Sequence, residues 1–242
     1  MSTENNKAVN GIGIVHSFAI FILASIALFL ETKYLIPFLS NKTGQETILF
    51  WFIVAGIGIF LPLVILAAVI LKSEGYRLNK NTWTVRLRFK RMTIGDWLWS
   101  GGALIVIGIL SVIIMKSLKF AIGDFDHSPP FMSFEPLSHG RYWLLAIWFP
   151  YWILNIMGEE IIWRGVIFPR QEIVHGKYAW IIHGIGWGIF HVAFGLQLLL
   201  TLAPIIFIQS YVVQKRKNSW IGVIIHGGLN GPSFIAISLG LL

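Results

Sequence analysis

The sequence predicts an all-α, polytopic transmembrane helix bundle with about seven spans and a cytoplasmic N-terminus. Three observations lead to this prediction. The chain is 56% hydrophobic and only 12% charged, whereas a soluble domain carries about 25% charged residues. Several apolar runs approach or exceed the length of about 20 residues that a helix needs to cross a bilayer. Eleven tryptophans and 18 phenylalanines are typical of a membrane protein with aromatic belts at its interfaces.

Seven apolar runs define the predicted spans. They lie at about residues 11–30, 47–71, 98–115, 142–163, 178–194, 196–213 and 220–241. The first run is longer than the hydrophobic region of a typical signal peptide and lacks a basic flank, which predicts a membrane anchor. No repeat or linker marks a second domain, so residues 1–242 are predicted to form a single transmembrane domain.

The distribution of Lys and Arg predicts the orientation. Fourteen of the 19, including Lys7, fall on one side of the seven-span topology, and the loop at 72–97 is the richest segment. Because cytoplasmic loops carry an excess of Lys and Arg, this side is predicted to be cytoplasmic. The stretch from Arg86 to Arg91 is expected to lie on the inner membrane surface. The net charge of +8 is thereby explained by topology, and no nucleic-acid partner is expected.

The fourth predicted span contains charged residues. The stretch "NIMGEEIIWRGVIF" places Glu159, Glu160 and Arg164 in an apolar run. The two glutamates are the only acids predicted inside a span, where an ionised group is costly unless it is paired or hydrated. Glu160 and Arg164 are four residues apart and share a helix face, so they can form an ion pair. Glu159 points about 100° away, with Asn155 as the polar neighbour on its face. A structural ion pair therefore explains only half of the motif, and Glu159 marks a candidate functional site.

Two other predicted spans supply polar partners. The fifth reads "YAWIIHGIGWGIFHVAFG" and contains His191, whereas His183 in the same span is expected to be structural. The seventh reads "WIGVIIHGGLNGPSF", in which His226 and Asn230 are four residues apart on one face. Counted at about 1.5 Å per residue, Glu159 and these partners can meet in the inner half of the bilayer. The sequence thus predicts one polar site, reached from the cytoplasm.

The three motifs resemble those of a known family. "EEIIWR" resembles the E-E-x-x-x-R motif of the CAAX protease and bacteriocin-processing family of intramembrane endopeptidases. "WGIFH" is similar to its F-x-x-x-H motif, with Trp187 in place of Phe at a position expected to shape the pocket, and "HGGLN" matches H-x-x-x-N. The motifs occur in the family's order, and the resemblance covers about residues 155–232. It implies that the catalytic residues are Glu159, Glu160, Arg164, His191, His226 and Asn230.

The resemblance implies hydrolysis of a peptide bond in a membrane-associated protein or peptide. Glu159, assisted by His191, can act as the general base for water. His226 and Asn230 can donate hydrogen bonds to the oxyanion of the tetrahedral intermediate. The ion pair of Glu160 and Arg164 would orient Glu159, the neighbouring base. This mechanism requires no cofactor.

A zinc mechanism remains an alternative. The chain has no cysteine, so a thiolate site is excluded. One Glu and two His nevertheless make a credible catalytic zinc set, with water as the fourth ligand. The spacing is not H-E-x-x-H, and Glu160 would have to serve as the base while Arg164 competes for it. We favour the metal-free mechanism, although members of the family have also been described as metalloproteases.

Two functions without proteolysis also remain alternatives. One is a membrane immunity or binding protein on the same scaffold, and the other is a proton- or cation-coupled transporter. No inverted repeat is visible, which argues against a transporter. The complete polar set argues against loss of activity, because intramembrane carboxylates are costly to keep. The expected partners are the lipid bilayer and a peptide or membrane-protein substrate, and the expected location is a bacterial cell membrane, as a multi-pass protein. No sequence feature specifies a prenyl pocket or an oligomeric state.

Overall fold

Seven helices make up most of the structure. The computed structural model describes residues 9–123, 129 and 134–241. Within these ranges the helices are α1 (Ile14–Thr43), α2 (Thr47–Ser73), α3 (Ile94–Ile122), α4 (143–175), α5 (Ala179–Phe190), α6 (Leu196–Arg216) and α7 (Ser219–Ser238). The described ranges contain no strand, so the prediction of an all-α fold is confirmed. Lys7 lies outside the described residues, and the cytoplasmic N-terminus stays a prediction.

Five of the described helices are long and apolar enough to cross a membrane. These are α1, α2, α3, α6 and α7. Of the remaining two, α4 carries Glu159, Glu160 and Arg164, and α5 is followed directly by a 3₁₀ turn that begins at His191. Helix α5 has only 12 residues, which span about 18 Å, whereas the hydrocarbon core of a bilayer is about 30 Å thick. The multi-pass helical architecture is confirmed, while a crossing by all seven helices stays a prediction.

Helix α1 is longer than its predicted span. The sequence predicted an end at residue 30, with Lys33 in an outer loop. The helix instead continues through a π-helical section at Glu31–Leu35 and ends at Gly44, whose φ of 71° is left-handed. Glycine adopts this conformation without a steric penalty and is therefore the usual helix stop. As a result Glu31 lies within a helix that is a candidate span, and its predicted position in a loop was wrong.

Helix α4 lies at the centre of the bundle. Helices α2 and α7 pack against its central part, while α5 packs against α1 and α6, and α3 against α6 and α7. Residues 162–169 of α4 are consequently buried on every side. A helix that is buried all round needs partners for each of its polar groups within the protein. The packing of α4 therefore determines which side chains the neighbouring helices present.

A π-helical section at Glu160–Ile167 widens α4. Such sections are rare and are frequent at functional sites. The carbonyl of Gly165 in this section accepts a hydrogen bond from Nη1 of Arg86 at 3.0 Å. Arg86 also donates from Nε and Nη2 to the two carboxylate oxygens of Glu74, at 3.0 and 3.1 Å. A Cβ at Gly165 would lie 2.9 Å from Cδ2 of Leu87, so the loop between α2 and α3 packs directly on the π-helical section.

Two of the basic side chains between Arg86 and Arg91 are held by partners within the protein. Arg86 is 5% exposed, and Arg88 forms an ion pair with Glu172 at 2.8 Å. Burial lowers the pKa of the Arg86 guanidinium from its ordinary value, and its carboxylate partner opposes this effect. Within this stretch only Lys90 and Arg91 have exposed side chains. Carboxylates at the helix ends therefore provide partners for Arg86 and Arg88, while the location of this stretch on the inner membrane surface stays a prediction.

The contact between Arg86 and α4 predicts a loss of stability in Arg86→Gln. The change leaves the Glu74 carboxylate without its bidentate partner, and breaking such a largely buried pair costs about 3 kcal/mol or more. The midpoint of thermal unfolding in detergent should therefore fall well below that of the wild type. Arg91→Gln is the matched control, because it removes an exposed Arg from the same loop. Equal stability of the two variants would contradict the structural role of Arg86.

Candidate active site

The candidate site begins with the carboxylate of Glu159. This residue is 2% exposed and lies where the α-helical part of α4 meets its π-helical section. Its Oε1 accepts a hydrogen bond from Nδ2 of Asn155 at 3.3 Å. Its Oε2 accepts one from Nε1 of Trp187 at 2.7 Å, a distance typical of charge-assisted hydrogen bonds. Glu159 is therefore held by two neutral donors, one on each oxygen.

The neighbouring carboxylate of Glu160 has a different set of partners. Its Oε1 lies 3.2 Å from Nη1 of Arg164, which is the ion pair that the sequence predicted. The same oxygen accepts a hydrogen bond from Nε2 of Gln209 at 2.9 Å and another from Nδ1 of His226 at 3.1 Å. Glu160 is fully buried. The carboxylate is thus held by side chains from α4, α6 and α7, and Arg164 on α4 supplies the opposite charge.

Helix α7 can approach Glu160 because it has no side chain at Gly222. A Cβ at this position would lie 2.0 Å from Oε2 of Glu160, far inside the contact distance of the two atoms. Gly222 is one turn before His226, so one face of α7 provides both the space for the carboxylate and a donor to it. The glycine is therefore required by the position of Glu160.

Arg164 is stabilised by charge and by an aromatic face. Its guanidinium is fully buried, and among the described residues its nitrogens have no hydrogen-bond partner. The guanidinium carbon lies 3.6 Å from the centroid of the Trp187 ring, which is a close cation–π contact. The Glu160 carboxylate on one side and the indole on the other therefore account for the burial of this cation.

Two histidines meet at the same indole from different helices. The ring centroids of His191 and His226 lie 5.3 and 5.4 Å from that of Trp187, both nearly perpendicular to it. Nδ1 of His191 lies 2.9 Å from the carbonyl oxygen of Trp187, and Nδ1 of His226 contacts the Glu160 carboxylate. A carbonyl and a carboxylate can only accept, so Nδ1 of each ring carries the proton. Each Nε2 is therefore an acceptor in the neutral ring and becomes a donor only when the ring is doubly protonated.

The structure brings five of the six predicted site residues together and places the sixth at the edge. Glu159, Glu160, Arg164, His191 and His226 are buried and linked through direct contacts or through Trp187. Asn230 lies one turn beyond His226 on α7, and its side chain is exposed. His183 contacts Gln171 and stacks on Phe168 instead, as expected for a structural residue.

Sequence reasoning missed two side chains of the site. Gln209 is a fully buried amide in the apolar stretch "IIFIQSYVV" of α6. A polar residue in an otherwise apolar span often indicates a functional site, so Gln209 could have been predicted from the sequence. Trp187 was interpreted as an aromatic residue that shapes the pocket, whereas its N–H donates directly to Glu159. The direction of that N–H depends on tertiary packing, which the sequence does not specify.

The arrangement does not fit the alternative zinc site. The ligands would be Glu159, His191 and His226, whose donor atoms are of a suitable chemical type. Within the described ranges, however, no three His, Asp or Glu side chains are close enough together to hold one ion. Oε2 of Glu159 is also engaged by Trp187.

These features define a class of protein. The site combines a carboxylate that has only neutral donors, a second carboxylate in an ion pair, and two histidines that are each held through Nδ1. Helices suited to a membrane enclose this site. The protein is therefore a multi-pass membrane protein with a buried cluster of ionisable side chains.

Comparison with known families identifies the relationship more closely. Residues 141–231 match the family described as type II CAAX prenyl endopeptidase Rce1-like. The matched segment contains all the residues of the three motifs, and it confirms the resemblance to the CAAX protease and bacteriocin-processing family. The match indicates a CAAX-type protease. Comparisons with curated proteins and with solved structures gave no significant match.

The two sets of partners predict different effects for changes at Glu160 and Arg164. Glu160→Gln leaves a fully buried cation without its counter-ion, and breaking a buried pair costs about 3–5 kcal/mol. The variant should therefore unfold at a markedly lower temperature in detergent than the wild type. Glu160→Gln combined with Arg164→Gln removes both charges and should recover part of the loss. A double variant less stable than Glu160→Gln alone would show that the ion pair is not what stabilises the site.

Proposed function

We propose that the protein is an intramembrane endopeptidase of the glutamate type, which hydrolyses a peptide bond in a membrane-associated protein or peptide. One observation carries the proposal. The carboxylate of Glu160 is neutralised by Arg164, whereas no ion pair involves Glu159 among the described residues, and its hydrogen bonds come from Asn155 and Trp187. Glu159 is therefore the carboxylate that can take up a proton without breaking an ion pair.

The first step is activation of water. Glu159 accepts a proton from water while the water oxygen attacks the carbonyl carbon of the scissile bond. His191 assists through Nε2, whose lone pair accepts a hydrogen bond from the other O–H of the water. Its ring is held in this orientation by the bond from Nδ1 to the backbone carbonyl of Trp187. The carbonyl π electrons move to oxygen, and a tetrahedral oxyanion forms.

The second step is collapse of the intermediate. With both ring nitrogens protonated, His226 donates a hydrogen bond from Nε2 to the oxyanion while Nδ1 stays in contact with Glu160, and the exposed amide of Asn230 donates another. One such donor contributes about 10²- to 10³-fold in rate. The oxyanion then reforms the carbonyl, the C–N bond breaks, and Glu159 returns its proton to the leaving amine. The products are a new carboxyl terminus and a new amino terminus.

Glu160 and Arg164 act as positioning residues in this mechanism. Their ion pair joins positions one turn apart in the π-helical section, directly after Glu159. Glu160 also fixes the ring of His226 through Nδ1. The pair thereby holds the base on α4 and the oxyanion donor on α7 in one arrangement. Neither of them needs to touch the substrate.

The substrate must reach a site that lies inside a helical bundle. A peptide segment that is itself anchored in, or adsorbed to, the lipid bilayer meets this requirement, because it shares the plane of the enzyme. We therefore propose a membrane-associated peptide or protein as the substrate and a cell membrane as the location. The family match, whose description includes CAAX prenyl endopeptidase, supports the first of these statements.

The proposal predicts the outcome of Glu159→Gln. The amide keeps the shape of the side chain and an acceptor for Trp187, so the variant should fold and unfold like the wild type. It cannot take up the proton, so cleavage of a peptide library should fall by about 10²- to 10⁴-fold. Glu31→Gln is the matched control, because it neutralises another carboxyl of a candidate span outside the site. If Glu159→Gln cleaves at the wild-type rate, the proposal is wrong. If Glu160→Gln is at the same time stable but inactive, Glu160 is the base and Glu159 has the structural role.

The metal-free mechanism predicts resistance to chelation. Glu159 and His191 activate water as a pair, so dialysis of the purified protein against a strong chelator should leave the cleavage rate unchanged. Loss of activity after dialysis, followed by recovery on addition of zinc, would show that a metal activates the water. A magnesium-only addition after dialysis controls for a general effect of divalent cations on the detergent-solubilised protein.

A further inference from the structure

The indole of Trp187 connects the site residues of α4, α5 and α7. It is 1% exposed, and the N–H on the edge of the ring donates a hydrogen bond to Glu159. The Arg164 guanidinium lies over its face, and the rings of His191 and His226 contact it nearly perpendicularly. A ring confined on its face and edges in this way cannot rotate without displacing a charged group. The direction of its N–H is consequently fixed.

The two oxygens of Glu159 are held unequally. Nε1 of Trp187 lies 2.7 Å from Oε2, whereas Nδ2 of Asn155 lies 3.3 Å from Oε1. The shorter contact is a strong charge-assisted hydrogen bond, and the longer one exceeds the usual range for N–H···O bonds. The strong hydrogen bond from the indole draws electron density from Oε2 and lowers its basicity, so Oε1, which has the weaker donor, is the more basic oxygen.

We propose that Trp187 is a positioning residue that holds Oε2 of Glu159 and thereby makes Oε1 the oxygen that takes the proton from water. This inference rests on the proposed function. The donor is the indole N–H of Trp187. The F-x-x-x-H motif of the family has Phe at this position, and a phenyl ring has no N–H to donate. In this chain the substitution of Trp adds one donor at the place where the base needs orientation.

Trp187→Phe tests the inference, with Trp163→Phe as the matched control. Both changes remove the same atoms from a buried indole. Trp163 is fully buried and stacks on Phe21 at 4.3 Å, but its N–H has no hydrogen-bond partner among the described residues. Only Trp187→Phe therefore removes a hydrogen bond. It should lower kcat by about 10- to 100-fold, the range for a hydrogen bond to a charged group, and leave KM unchanged. Trp163→Phe should keep the wild-type kcat.

A spectroscopic measurement tests the hydrogen bond independently of turnover. In the indole ¹H–¹⁵N spectrum of the protein in detergent, the signal missing from Trp187→Phe identifies Trp187. Glu159→Gln replaces the charged acceptor by a neutral one, so this signal should move upfield, while the signal missing from Trp163→Phe should stay in place. If the chemical shift of the Trp187 indole N–H is the same in Glu159→Gln as in the wild type, the proposed hydrogen bond to Glu159 is overturned.

The kinetic and spectroscopic outcomes separate the two proposals. Full kcat in Trp187→Phe would overturn the positioning role while leaving the endopeptidase function intact. A Trp187→Phe effect on KM alone would also overturn it, because a residue that orients the base acts on the chemical step. A wild-type protein that cleaves no peptide would overturn the proposed function itself, whatever the indole signals show.

Discussion

The burial of three ionisable side chains in α4 is the constraint on which the rest of the structure depends. An ionised group removed from water is unfavourable by several kcal/mol unless it is paired and hydrogen-bonded. Glu160 and Arg164 meet this requirement only in part within their own helix. The missing partners come from Gln209 on α6 and His226 on α7, and α7 fits against the carboxylate because Gly222 leaves space for it. The packing of the central helices follows from the needs of these charges.

Two adjacent carboxylates acquire different roles from their surroundings. Glu160 is tied into an ion pair and a hydrogen-bond network that stabilises the bundle. Glu159 has only an amide and an indole as donors, so its protonation breaks no ion pair. Two carboxyl groups with separate environments are a common basis for separate tasks in enzymes. Here the separation lies between neighbouring positions of one helix, at the point where its geometry changes from α to π.

The sequence predicted those features that depend on local spacing. Apolar runs located the seven helices, and four-residue spacing within α4 predicted the ion pair, which is present. Features that depend on distant contacts were not predictable. Helix α1 continues beyond Glu31 because the chain meets no stop before Gly44, although its polar residues resemble a loop. The burial of Arg86 depends on a carbonyl 79 positions away in the sequence, and the direction of the Trp187 N–H depends on the cation packed against its ring.

The central claim is that Glu159 activates water and does not itself attack the peptide. A single turnover in oxygen-18 water, with enzyme in excess over peptide, tests it most directly by mass spectrometry of the product and of the enzyme. General-base catalysis by Glu159 predicts that the new carboxyl terminus of the product carries one heavy oxygen after the first turnover. It also predicts that the peptide of the enzyme containing Glu159 stays unlabelled. An unlabelled product together with a labelled Glu159 would show that the carboxylate is the nucleophile, and would contradict the account.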